Sequence, residues 1–450
     1  MDYGYHAWML VAASLVILMT APGLALFYGG MSRSKSVLNM MMMSFGTIGI
    51  AGIVYVLWGW SMSFGEQDIA MIINNPFETF GLSGISGQDY IFVGFQLTFA
   101  VITAALISGA VADRLKFSAW MMFVPLWLTL SYFPIAHMVW GGGFLGSAEN
   151  GISGLLFDGD PLPIDYAGGT VVHINAGVAG LVLALMLGRR LGFGKEPMKP
   201  HNLTLTMLGA GILWFGWYGF NVGSIVFTGE SAEADAAQFL SETSLVWLNT
   251  TVATCAAILG WLFIEKVRDG KATSLGAASG VVAGLVAITP ACGALSPVGS
   301  IVLGLAAGVL CSLAVGLKYR WGYDDSLDVV GVHLVGGLVG TIGAGFLATS
   351  TGLFYGGGAA QLVVQVLVAL GAMFWSAVAT FIVASIVKVV IGLRVEEDVE
   401  VEGIDFAEHG ESAYDLTGGS GARRGGALAP STGVLDGTKK DSIETEGVNA

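Results

Sequence analysis

The segment Asp165-Tyr-Ala-Gly-Gly-Thr-Val-Val-His173-Ile-Asn-Ala-Gly177-Val-Ala-Gly180 returns 160 residues later as Asp325-Ser-Leu-Asp-Val-Val-Gly-Val-His333-Leu-Val-Gly-Gly337-Leu-Val-Gly340. Both copies read D-x7-H-x3-G-x2-G. Each lies in an apolar run of roughly twenty residues, the length that carries an α-helix across a ~30 Å hydrocarbon core. Eleven such runs begin near Trp8, Val37, Tyr90, Phe117, Ala167, Leu203, Ser244, Ser274, Val298, Val329 and Gln361. The copies occupy the fifth and tenth, and because five is odd they run in opposite directions through the bilayer. An inverted repeat of this kind builds a site near the midplane between related halves. The expected fold is an all-α integral membrane protein of 11 transmembrane helices, with two inverted five-helix repeats plus an eleventh helix.

Composition and charge agree with this reading. Only 12% of the residues are charged, against about 25% in soluble proteins, which excludes an ordinary soluble enzyme. The 67 glycines suit helices that must approach closely where no hydrophobic effect draws them together. Every Lys and Arg falls in one alternate set of connections: Arg33 and Lys35, Arg114 and Lys116, Arg189 to Lys199, Lys266 to Lys271, Lys318 and Arg320, then Lys388 onward. The other connections carry Glu66, Asp89, Asp158, Asp160, Glu230 and Asp235 and no basic residue. The positive-inside rule places the basic set in the cytoplasm, so the N-terminus is expected outside and the C-terminus inside. Residues 1–6 lack the basic stretch of a signal peptide, so the first apolar run is expected to be retained. The formal charge of −14 resides largely in loops and tail and assigns no partner. Cys255, Cys292 and Cys311 lack metal spacing and read as core residues. The chain divides into a membrane domain over 1–392, a cytoplasmic segment over 393–417, and a Gly/Ser/Thr-rich tail over 418–450 expected to be disordered. Ile404, Phe406 and Tyr414 give the middle segment enough apolar surface to dock; a solvated linker is the alternative reading.

An Asp at each helix start, favourable at the positive end of the dipole, puts the histidine eight residues later at ~12 Å depth. His173 and His333 then meet near the bilayer centre, and the glycines that follow let their helices approach. The plainer reading is a structural hydrogen bond between helices, but an ionisable residue at that depth is a functional candidate. Desolvation favours the neutral imidazole, which offers one donor and one acceptor. Such a pore rejects a dehydrated cation and suits a small neutral molecule that both donates and accepts. Ammonia fits, with water, carbon dioxide or a proton relay as competitors. A metal site is not expected, because no Cys or further His lies at ligand spacing and Asp165 and Asp325 sit near opposite faces. Towards the outside, Phe92, Phe95 and Phe99 share one helical face, and Trp140, Trp217, Phe220 and Ser224 are placed in the same half. Aromatic faces attract cations by roughly 0.5 to 2 kcal/mol; interfacial anchoring is the alternative reading of such residues.

These segments resemble the ammonium transporter family, which includes methylammonium permeases and Rh glycoproteins. The resemblance spans residues 8 to 417. It rests on Pro22-Gly-Leu-Ala-Leu-Phe-Tyr-Gly-Gly30, Phe95-Gln-Leu-Thr-Phe99, Asp165 to Gly177, Trp217-Tyr-Gly-Phe-Asn-Val-Gly-Ser224, Ile288-Thr-Pro-Ala-Cys292, Asp324 to His333, and Glu402-Gly-Ile-Asp405 through His409-Gly-Glu-Ser-Ala-Tyr414. It implies an external ammonium site of Trp140, Phe99 and Ser224, with Phe95 and Trp217 beside it. It also implies a stacked gate of Phe99 and Phe220, a conduction path past His173 and His333, and an essential aspartate, Asp165, with Asp325 as its repeat counterpart. A homotrimer in the cell membrane is implied, regulated through a cytoplasmic segment that contains Gly403, Asp405, His409, Gly410, Glu411 and Tyr414. A PII-type signalling protein is the implied partner. Neither a cofactor nor a nucleic-acid partner is expected. The 24 residues between Trp140 and Asp165 form a longer, acidic loop than in some relatives. The sequence leaves open whether the proton returns outside or follows the ammonia. The rival readings are an Rh-like gas channel, whose relatives generally lack the outer tryptophan, and an ammonium receptor that signals through its tail. An intramembrane enzyme lacks a nucleophile beside its histidines.

Overall fold

The computed structural model describes residues 3–196 and 198–414. Among them, ten helical segments are long and apolar enough to cross a membrane: α1 (Tyr3–Met31), α2 (Val37–Phe64), α3 (Tyr90–Val111), α4 (Phe117–Trp140), α5 (Gly169–Leu187), α6 (Leu203–Val222), α7 (Ala232–Asp269), α9 (Pro297–Trp321), α10 (Val330–Leu347) and α11 (Ala360–Val390). A further apolar helix, α8 (Ser274–Ile288), has 15 residues. It stops just before Pro290, which has no N–H to continue the ladder. A small antiparallel hairpin, Asp68–Ile69 with Ile73–Asn74, follows α2. Two short helices, α12 (Glu397–Glu402) and α13 (Ile404–His409), follow α11.

The hydropathy windows locate the spans, but polar signals set their ends. α7 was expected from near Ser244 and in fact begins at Ala232. Ser231 accepts a hydrogen bond from the backbone of Ala234, and Glu233 and Asp235 occupy the first turn. Carboxylates at a helix N-terminus and bases at its C-terminus both favour the dipole; Lys266 and Arg268 occupy the last turn. Gly270, at φ +79°, then closes the helix in the left-handed conformation glycine tolerates.

The histidine helices start near the expected run starts, Ala167 and Val329, but not at the aspartates. Asp165 and Asp325 are not their first residues. The helices begin at Gly169 and near Val329, and the aspartates cap them from the preceding irregular chain. Asp165 accepts from the backbone N–H of Thr170 and Val171, each at 3.2 Å. Asp325 accepts from Val329 at 3.0 Å and Val330 at 2.7 Å. Irregular backbone at membrane depth must find partners within the protein. Tyr166 and Ala167 donate to the carbonyls of Pro290 and Thr289 at the broken end of α8. The shortness of α8 thus supports the entry to α5.

Glycines bring α5 and α10 together. A Cβ on Gly177 would lie 2.5 Å from the Leu334 nitrogen, and one on Gly337 would lie 3.0 Å from Ile174 Cγ1. The contacts are reciprocal: each glycine faces the residue just after the other helix's histidine. α11 packs along both α5 and α10.

Candidate transport pathway

Each histidine lies in a π-helical turn, Gly169–Ile174 for His173 and Val330–Leu334 for His333. Such wide turns recur at functional sites because they re-aim a side chain. Both imidazoles are buried, and their Nδ1 atoms stand 3.2 Å apart with the rings nearly parallel, at 17°. One Nδ1 must donate and the other accept, so in neutral rings the two Nε2 atoms differ in role. His173 Nε2 has no hydrogen-bond partner among the described residues.

A continuous aromatic stack rises from His173. Trp217 stacks on its ring at 5.4 Å and 14°, and Phe220 touches both. Phe220 lies parallel to Phe99, 4.1 Å centroid to centroid. Phe99 in turn meets Phe95 edge-on at 4.9 Å and Trp140 at 5.9 Å. Ser224, one turn beyond Phe220, donates to the Phe220 carbonyl at 2.9 Å. The structure therefore brings Phe95, Phe99, Trp140, Trp217, Phe220 and His173 into one chain of contacts. It leaves Phe92 out: that ring turns to Trp60 and Phe64 of α2.

Polar contacts fix the two tryptophans. Trp140 donates its indole N–H to the Asp165 carbonyl at 2.9 Å. One residue thus caps the His173 helix with its carboxylate and orients the outer tryptophan with its backbone. Trp217 donates to the Thr289 hydroxyl at 2.8 Å, in the turn that ends α8. The motif around Thr289 was visible in the sequence; its tie to Trp217 was not, because 72 residues separate them.

At the basic end, a buried ion network surrounds the start of the His333 helix. Arg190 pairs with Asp324 at 2.8 Å and with Asp113 at 3.1 Å. Arg114 donates to the Asp324 carbonyl and to Ser326. Burial alone would raise the Asp324 carboxyl, but the Arg190 guanidinium, with Arg114 behind it, holds it below its ordinary value.

The segment after α11 lies across the ends of α2, α4 and α5. Asp405 caps α2, accepting from Leu38 at 3.0 Å and Asn39 at 2.8 Å. Glu408 accepts from the Phe117 N–H at the start of α4, and His409 meets Asn39 Oδ1 at 3.0 Å. Glu400 accepts from Leu191 and from Arg394, which also reaches the last carbonyl of α5. A Cβ at Gly403, φ +123°, would stand 2.7 Å from Lys35 Cβ. Gly410, at φ +68°, closes α13. Glu411 is exposed. Docking uses Ile404, which is buried, but not Phe406, which is 76% exposed, contrary to expectation. The polar caps, more than apolar area, hold this segment.

Residues 7–414 match the family model for the Ammonium Transporter Family. The chain is 51% identical to an ammonium transporter of Mycobacterium tuberculosis, covering 94% of this chain and 92% of that protein. It is 46% identical to an ammonium transporter of Aquifex aeolicus, over 92% and 94%. The chain belongs to the ammonium transporter family. Among solved structures, Candida albicans Mep2 superposes with a TM-score of 0.78 at 30% identity, over 92% of this chain and 94% of that one. A protein described as a sensor Amt protein superposes at 0.79 and 28% identity, over 90% and 98%. The family match ends at residue 414; the expectation of disorder over 418–450 lies outside the described residues.

Proposed function

We propose that this ammonium transporter captures ammonium between Trp140, Phe99 and Ser224, with Phe95 and Trp217 beside them. The cation gives up its proton near the Phe99–Phe220 gate, the proton either returning outside or following along the histidine pair, and ammonia passes His173 and His333 into the cytoplasm. The reading is carried by one observation: two buried imidazoles, 3.2 Å apart, stand directly beneath an unbroken aromatic stack. Aromatic faces attract a cation, whereas the desolvated histidine pair offers only neutral donors and acceptors. A substrate drawn in as a cation is therefore best passed on without its charge.

The same reading takes α8 as a membrane span, giving eleven, with the N-terminus outside and the basic end in the cytoplasm. The two five-helix halves are related as inverted repeats, for which the matched caps and reciprocal glycine contacts of α5 and α10 speak. The protein is placed in the cell membrane as a homotrimer. Residues 393–417 form a regulatory segment, and a PII-type protein is its partner; dependence of co-purification on residues 395–414 tests that partnership.

The mechanism is tested by solid-supported-membrane currents on liposomes, jumping ammonium against equal potassium, for wild type and for His173→Ala and His333→Ala. An ammonium-specific current altered by both substitutions is expected. Unchanged flux and unchanged selectivity over potassium would remove the histidines from the mechanism.

A further inference from the structure

Two glutamines one turn apart on α11, Gln361 and Gln365, are each 1% exposed. A buried primary amide is costly unless its hydrogen bonds are made, and Gln365 fills all of its own. Its Oε1 accepts from the Ile164 N–H at 2.7 Å and from Gln361 Nε2 at 3.3 Å. Its Nε2 donates to the Ile164 carbonyl at 2.8 Å and to the Thr341 carbonyl at 2.9 Å. Gln361 holds the Leu162 carbonyl at 3.0 Å and is itself oriented by Thr351.

The positions of these partners give the contacts their meaning. Ile164 directly precedes Asp165, whose carboxylate caps the His173 helix and whose carbonyl holds Trp140. Thr341 lies on α10, eight residues after His333, and is buried. One amide thus grips both the entry to the first histidine helix and the body of the second. We infer that Gln365 is the positioning residue that sets the register between the His173 and His333 segments, and with it the selectivity of the pore. It touches no substrate and acts through the backbone it holds. The inference rests on the transport reading given above.

The test uses the full chain in liposomes, with Gln365→Met, which keeps length and loses every hydrogen bond, and Gln365→Glu, which keeps the two acceptor sites. Val383→Ala, a fully buried α11 position away from the pathway, controls for general loosening. The expected result is a potassium-to-ammonium current ratio that rises about tenfold in Gln365→Met, the factor that corresponds to roughly one lost hydrogen bond. A rise at least as large is expected in Gln365→Glu, whose second carboxylate oxygen faces the Ile164 and Thr341 carbonyls with no proton to donate, and none in Val383→Ala. If neither Gln365 variant folds, Gln361→Met is measured in the same way, with a smaller rise expected. A ratio unchanged in folded variants, or raised equally by Val383→Ala, overturns the inference. Absence in wild type of both an ammonium current and an ammonia flux read by internal pH would overturn the transport reading itself.

Discussion

Trp140 shows how little room a single side chain has to vary here. Its ring meets Phe99 edge-on, and its indole N–H is committed to the Asp165 carbonyl. A leucine would keep apolar bulk but lose both the π face and the donor. We expect Trp140→Leu to raise the half-saturating ammonium concentration by about 2- to 30-fold, the range set by a cation–π contact of roughly 0.5–2 kcal/mol. The maximal flux should fall less, because the histidine pair below is untouched. Concentration-dependent currents measure both quantities; an unchanged half-saturation with reduced maximal flux would move Trp140 from capture to conduction.

At the scale of elements, the α5 entry depends on one cap. Asp165→Ala leaves the Thr170 and Val171 N–H groups buried without partners, and loss of a cap costs about 0.5–2 kcal/mol. We expect a lower thermal unfolding midpoint together with a lost or weakened ammonium current, whereas Asp165→Asn, which keeps one acceptor, should retain more of both. Equal losses in the two variants would show that charge, not capping, is what matters. The sequence carried much of this element: the repeated Asp and His spacing located both caps and both histidines. It set the aspartates themselves at the helix starts, about one turn too early, because residues 165–168 are held irregular by the carbonyls of Thr289 and Pro290. Nothing local to Asp165 announces partners more than a hundred residues away. Gln365 was hidden for the same reason, since a polar residue in an apolar run does not reveal what it faces. Aromatic residues were easier to read than to orient: Phe92 shares the helical face of Phe95 and Phe99, yet packs against α2.

Across the whole molecule, strong acid should weaken the ion network at the basic end. Asp324 titrates below its ordinary value of 3.8 in the folded protein, so the unfolded chain holds that proton more tightly. The stability its pairing with Arg190 supplies is complete above about 3.8 and is lost as pH falls through the folded value. Asp405 has the opposite sign: burial raises its carboxyl more than the hydrogen bonds from Asn39 and Leu38 lower it. Docking of α13 is therefore strongest below 3.8 and weakens as pH rises through the docked value. Unfolding midpoints measured against pH should fall on the acid side for wild type and show a shallower acid limb in Asp324→Asn. A spin label at Ala407 should report tighter docking on mild acidification, and a label whose docking is indifferent to pH would exclude Asp405 as its determinant. The crossing of α5 and α10 bears on time as well as on space. Transporters built from inverted repeats commonly work by rocking one half against the other around a central site, on scales of microseconds to milliseconds. Where a Cβ on Gly177 would strike the Leu334 backbone at 2.5 Å and one on Gly337 would crowd Ile174 Cγ1 at 3.0 Å, the two helices are seated too closely to favour such rocking. Under the proposed mechanism the moving parts are small: the Phe99 and Phe220 rings and a proton. Under that mechanism the clock is set by side-chain fluctuation and desolvation rather than by domain motion, and turnover should be nearly insensitive to bilayer stiffness.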